Sequence, residues 1–215
     1  MDVLDLGCGT GKQMFASRIL LSPQSRMVGV DISAEAVSRI NSRARHEETE
    51  NVTAIQCEID KVLDHFERTG FDLILSTYAI YYSRDMVNLM TSLKGVMNPG
   101  AQLFICGYGK GTNREIDDFI DELTVRSPEK PSISEDFISK EQIQDISRNY
   151  GSCRIVRLPN KIIFTSTNAL LGWWMNHNSY MPEIHPMVQQ GLDHFFRYDE
   201  VFTLSKNVLG IHFEV

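Results

Sequence analysis

Val3-Leu4-Asp5-Leu6-Gly7-Cys8-Gly9-Thr10-Gly11-Lys12 opens the chain with a short apolar run that passes directly into a loop with glycine at every second position. Missing side chains let such a loop turn tightly and let a ligand approach its backbone, and Asp5 at the strand end is placed to face the ligand's polar end. A Walker A loop would need glycine where Leu6 stands and Ser or Thr where Gln13 stands. The dinucleotide fingerprint GxGxxG fails as well, because Lys12 or Met14 occupies the position of its last glycine, depending on where the motif starts. What remains is a D-x-G-x-G-x-G loop after a first strand.

Working outward, residues 26–31, 52–57, 71–76 and 101–107 are further apolar runs, too uniformly hydrophobic for half-exposed strands and suited to a parallel sheet covered on both faces. Helical segments fill the gaps. Ser33 is the expected N-cap of one, with Val37 and Ile40 on its buried face, and residues 85–96 form another that stops at Asn98-Pro99-Gly100. Five βα units in a row predict an α/β fold, a Rossmann-like doubly wound, mostly parallel sheet of about seven strands. Residues 153–165, broken at Pro159-Asn160, and 208–215 are the expected sixth and seventh strands, the last antiparallel. Helices are expected over 112–125 and 140–149, with a loop over 127–134 between them. Residues 166–198 read as a helical cap or insertion within a single domain spanning 1–215; this segment holds both Trp173 and Trp174, together with His177, His185 and His194.

The composition narrows the partners. With 21 Lys+Arg against 28 Asp+Glu the formal charge is −7, and no basic cluster appears, which argues against nucleic acid because phosphate backbones are held largely by concentrated cationic side chains. Cys8, Cys57, Cys106 and Cys153 are evenly spread without a CxxC or Cys/His ligand spacing, so no metal is expected. No apolar run approaches the roughly 20 residues of a bilayer-spanning helix, and no charged leader precedes one. The expectation is a cytoplasmic protein without a membrane partner.

Acids close successive strands. Asp31 follows Val28-Gly29-Val30 and can accept both hydroxyls of a ribose lying across the strand ends, with Ile32 as an apolar face for a base; the plainer reading is a helix cap, which Ser33 already provides. At the next strand end Glu58 and Asp60 are acceptors for an adenine amino group, and Asp60 reads equally well as an N-cap. These features, in this order, resemble the class I S-adenosylmethionine-dependent methyltransferases from Met1 to about Gly107. The glycine loop matches the family's first motif, Asp31 its ribose acid, Glu58-Ile59 its adenine pair and residues 71–82, with Ser76, its fourth-strand motif. The resemblance implies S-adenosyl-L-methionine as cofactor, bound by Asp5, Gly7, Gly9, Gly11, Asp31, Ile32, Glu58, Ile59 and Ser76. Relatives normally carry one or two helices ahead of the first strand, so the abrupt beginning here is expected to reflect a truncated start in preference to a lid borrowed from another chain.

The implied reaction is in-line methyl transfer to a nucleophile, where alignment does most of the work and a general base adds about 10²–10⁴-fold for a protonated acceptor. Tyr81, His177 and His185 are the candidate catalytic residues. Ser76-Thr77-Tyr78-Ala79 stands where nucleobase or glutamine methylation would call for Asn-Pro-Pro-Tyr, which leaves a small organic acceptor as the expected partner. The competing class is a non-catalytic module of the same fold acting as a regulatory subunit. A short-chain reductase is excluded because no tyrosine of this stretch has lysine four residues on.

Overall fold

The computed structural model describes residues 1–49, 51–66, 70–124, 135–177 and 179–215. In chain order they form β1 (Val3–Leu6), α1 (Lys12–Ser17), β2 (Met27–Asp31), α2 (Ala34–His46), β3 (Val52–Gln56), β4 (Phe71–Thr77), α3 (Met86–Leu93) and β5 (Met97–Tyr108). There follow α4 (Arg114–Thr124), α5 (Lys140–Ser147), β6 (Ser152–Leu158), β7 (Lys161–Phe164), α6 (Thr167–Trp174), α7 (His185–Tyr198), β8 (Phe202–Ser205) and β9 (Val208–Glu214). The loop expected over 127–134, and Val125 before it, lie outside the described residues.

Seven strands make one sheet in the order β3-β2-β1-β4-β5-β9-β6. Parallel registers Val3↔Met27, Met27↔Val52 and Val3↔Leu73 show the chain building outward on one side of β1 and then crossing to β4 on the other. The topological switch point therefore lies between β1 and β4. Between Phe71 and Leu73 the partner on β5 jumps from Met97 to Gln102, so residues 98–100, the Asn-Pro-Gly turn, are looped out of the ladder. The last strand is antiparallel: the Gly100 N–H donates to the Val215 carbonyl and the Val215 N–H to Ala101, which sets the end of the chain against the beginning of β5's regular ladder.

Compact packing divides the chain into two units, one of residues 1–107, 137–156 and 209–215, the other of 108–136 and 157–208. In the first, Val37, Ile40 and Ala44 from α2 join Val3, Met27, Val52 and Ala54 from the strands, the one-sided apolar stripe of a helix covering a parallel sheet. Ser33 caps α2 by accepting the Ala36 N–H at 3.2 Å. In the second, β7 pairs antiparallel with β8, so the 153–165 segment divides at Pro159-Asn160 and its latter half leaves the main sheet. Strand β8 carries no sequence signal strong enough to be expected. The second unit has its own core, with Trp174 wholly buried among Ile116, Ile120, Phe164, Leu170, Val188, Phe202 and Leu204. That burial assigns Trp174 to packing.

Candidate active site

At the carboxyl ends of β1 to β4 lies a cavity of about 510 Å³ lined by Gly7, Val30, Asp31, Ile32, Cys57, Glu58, Ile59, Asp60, Tyr78, Ala79, Tyr82 and Arg84. Open α/β sheets bind ligands at this place because the strand ends and loops diverge there and leave a crevice. Gly7, Asp31, Ile32, Glu58 and Ile59, five of the residues expected to hold a cofactor, meet on its wall. The loop is shaped by backbone conformation: Gly7, Gly9 and Gly11 have φ of 74°, 53° and 77°. At Gly7 a Cβ would also come within 2.1 Å of the Ala79 Cβ, so glycine lets the first loop sit against the end of β4.

Asp31 ties the site together. Its Oδ2 accepts the Gly9 N–H at 2.8 Å and its Oδ1 the Ser33 N–H at 2.9 Å, so one carboxylate holds both the glycine loop and the entry to α2. Ile32 beside it is 68% exposed, an apolar surface left uncovered at the cavity. Glu58 pairs with Lys61 at 2.9 Å. Asp60 does not cap a helix; it lies within the 3-10 turn Ile59–His65 and accepts from Ser83 Oγ and the Arg84 N–H, which joins the β3 end to the loop after β4. The hydrogen bond from Ser83 holds its carboxyl below the usual range.

The other expected cofactor residues are placed differently. Asp5 is 2% exposed, lies off the cavity wall, and has one buried carboxylate oxygen without a hydrogen-bond partner. Burial, followed by the charge of Asp31, pushes its carboxyl up to about 7. Ser76 is fully buried and donates its hydroxyl to the Leu6 carbonyl at 3.0 Å, locking β4 to β1. Gly11 precedes α1 where a Cβ would strike Ile40, and Gly9, off the cavity wall, donates its N–H to Asp31.

Of the candidate catalytic residues, Tyr81 is off the cavity wall and packs against Tyr82 and Phe137, with ring centroids 4.9 and 6.0 Å away. Residues Ile80–Tyr82 form a 3-10 turn, whose three residues per turn point successive side chains in three directions; Ile80 goes to the core and Tyr82 to the cavity. Tyr78, Tyr82 and Arg84 are cavity residues outside the expected set, and their one signal in the sequence is that all three follow the β4 end, where ligands of such sheets bind. In the second unit, Asn113 Nδ2 donates to His177 Nε2 at 2.9 Å and His177 Nδ1 bonds Ser179 Oγ at 2.8 Å, so both ring nitrogens are occupied. Burial and the nearby Lys206 lower the His177 pKa, and Trp173 stacks on the ring at 4.8 Å. His185 contacts the Tyr180 hydroxyl through Nδ1 at 3.2 Å. Among the described residues no group of His, Cys, Asp and Glu is arranged to hold a metal ion, and no helix is long and apolar enough to cross a membrane.

Residues 1–185 match the methyltransferase domain family. A demethylmenaquinone methyltransferase from Lactococcus lactis subsp. lactis (strain IL1403) is 23% identical over 103 residues, 48% of this chain and 40% of that protein. The chain thus spans well under two thirds of that relative. Among solved structures, the YcgJ protein from Bacillus subtilis superposes with a TM-score of 0.61 at 20% identity, over 99% of this chain and 91% of that one. Haemonchus contortus phosphoethanolamine N-methyltransferase 2, in complex with phosphomonomethylethanolamine and S-adenosylhomocysteine, gives 0.60 at 17% identity over 100% of this chain and 48% of that one. At such identities the structural likeness is one of fold.

Proposed function

The chain belongs to the methyltransferase domain family, and from that premise we propose that it binds S-adenosylmethionine at the β1–β4 strand ends and methylates a small organic acceptor. The observation that carries the reading is the single cavity joining Gly7, Asp31, Ile32, Glu58 and Ile59 at the topological switch point. Its volume of about 510 Å³ suits a nucleoside-sized group. The residues fit that cofactor: Asp31 offers carboxylate oxygens for ribose hydroxyls, Ile32 an apolar face for adenine, Glu58 with Ile59 the acceptor edge for its amino group. The unpaired buried oxygen of Asp5 and the backbone of Gly7 to Gly11 suit a charged amino-acid end. When bound, S-adenosylmethionine would supply a methyl group on a cationic sulfur, the carbon–sulfur pair going to sulfur as the acceptor's lone pair takes the methyl. The acceptor's proton then passes to a base or to water. His185, whose Nε2 has no bond to a described residue, is the freer base, whereas His177 must first release Asn113; Tyr81 serves by packing the turn that carries Tyr82.

Residues 166–198 are proposed to recognise the acceptor. The relatives support a small molecule: one is named for a demethylmenaquinone, another was solved with phosphomonomethylethanolamine. Calorimetry with S-adenosylhomocysteine and with NAD tests the reading. S-adenosylhomocysteine should bind and NAD should not, and Asp31→Ala should weaken binding by about 1.5–3 kcal/mol, the range for a hydrogen bond to a charged group. Unchanged affinity in that variant removes the ribose assignment. Tight binding with no methylation of any extracted metabolite would favour the non-catalytic module.

A further inference from the structure

Three non-glycine residues among those described have left-handed backbone: Glu48, Tyr78 and Asn113, with φ of 51°, 57° and 61°. Two have local reasons. Glu48 follows the end of α2, where helices commonly finish with one left-handed residue, and asparagine tolerates the region better than other side chains do. Tyr78 has neither reason. It is a bulky aromatic immediately after β4, where glycine or asparagine would satisfy the backbone without strain.

Its neighbours hold it there: the Tyr78 N–H donates to the Cys106 carbonyl at 2.8 Å, and Ala79 is seated against Gly7. The side chain gains little from the protein in return. The residue is 47% exposed on the cavity wall and its hydroxyl bonds none of the described residues. Strained residues of this kind persist where the surroundings over-determine them, and they cluster at ligand sites. On the same wall, Gly7 of the glycine loop lies against Ala79, the residue after Tyr78, while Glu58 and Ile59 come from the β3 end.

We propose that Tyr78 is a specificity-determining residue whose ring meets the sulfonium of the bound cofactor and favours the cationic cofactor over the neutral thioether product. This rests on the cofactor reading above. The physical reason is the negative face of an aromatic ring, which attracts a cation within about 6 Å of the centroid and gives nothing comparable to an uncharged sulfur. The same preference would help the product leave after transfer. Burial raises the phenol's pKa, so the ring stays neutral at physiological pH.

The test titrates S-adenosylmethionine and S-adenosylhomocysteine separately into the full chain and into Tyr78→Phe, Tyr78→Leu and Tyr78→Gly, and records thermal melting of each without ligand. Tyr78→Phe should keep the wild-type preference. Tyr78→Leu and Tyr78→Gly should lose about 2–30-fold in affinity for the cationic ligand, the span of an exposed to a desolvated cation–π contact, while the thioether changes less than twofold. Tyr78→Gly should melt no lower than the wild type and up to roughly 2–4 °C higher, because the strain is relieved. Equal loss for both ligands, or no loss for either, overturns the proposal; Tyr78→Leu decides the matter if the glycine variant does not fold. A wild-type chain that binds neither ligand defeats the cofactor reading itself, whereas one that binds both with a ratio insensitive to residue 78 defeats only this inference.

Discussion

Asp5 is buried in the middle strand region beside Asp31, and its carboxyl is pushed up to about 7 by burial first and that neighbouring charge second. The folded chain therefore holds this proton more tightly than the unfolded chain, where the ordinary value is 3.8. Stability from Asp5 is thus fully present below about 4 and is lost as the pH rises through about 7. Asp5→Asn removes the penalty of ionising in place. Its stability relative to the wild type should rise by about 1–3 kcal/mol between pH 5 and pH 8, measured from urea transitions at both. A difference that does not change with pH would show that Asp5 is as easily ionised in the fold as in the open chain. The sequence marked Asp5 as an acid at a strand end but not its burial, which depends on β2 and β4 lying on either side of β1.

At the scale of elements, α2 shows how a local rule and a local exception meet. Ser33 starts it as the sequence expects, and at its far end the Thr49 N–H bonds the Ala44 carbonyl at 2.8 Å and the Glu48 N–H that of Arg45 at 3.3 Å. This is a Schellman ending, with Glu48 at the left-handed position that glycine usually fills. Glu48→Gly should stabilise the chain by about 0.5–1 kcal/mol, since the relieved steric cost exceeds the entropy that glycine adds to the unfolded state. Chemical denaturation reads it directly, and a destabilised variant would mean that the exposed glutamate makes a contact outweighing its backbone cost. The turn Ile80–Tyr82 carries the complementary lesson: a run of aromatic residues announces a site, but which ring faces it is set by three-residue periodicity, and Tyr82 is the one that does.

Across the whole molecule, each packing unit has a core of its own. Residues 166–198 supply Leu170, Leu171, Trp174, Val188 and Leu192 to a cluster completed by Phe164, Phe202 and Leu204, so excising them would strip that core, and a point substitution is the cleaner probe. Trp174→Ala should cost about 3–5 kcal/mol, the usual range for truncating a buried large aromatic. Affinity for S-adenosylhomocysteine should stay within twofold, because none of the cavity residues belongs to this cluster. Urea unfolding and calorimetry on the same samples check both halves. Loss of cofactor affinity in a chain that remains folded would show that the second unit's core supports the cofactor site.

The alternation of apolar runs with helical segments determined the α/β class, and spacing alone placed the glycine loop, Asp31 and Glu58 at strand ends, because strand ends are counted along the chain. The resemblance to class I S-adenosylmethionine-dependent methyltransferases, drawn from those same positions, agrees with the family match and the sheet order. The antiparallel last strand was legible too, since too few residues precede it for a crossover. What only the tertiary structure decided depends on contacts between distant segments. It paired β7 with β8 away from the main sheet, buried Trp174 while leaving Trp173 beside His177, and turned Asp60 from a cap into a bridge to Ser83. It also gave Tyr78 its left-handed backbone, which arises only where the end of β4 meets Cys106 and the glycine loop. Period and composition act over neighbouring residues, whereas side-chain burial and strain are fixed by partners that the linear order does not name.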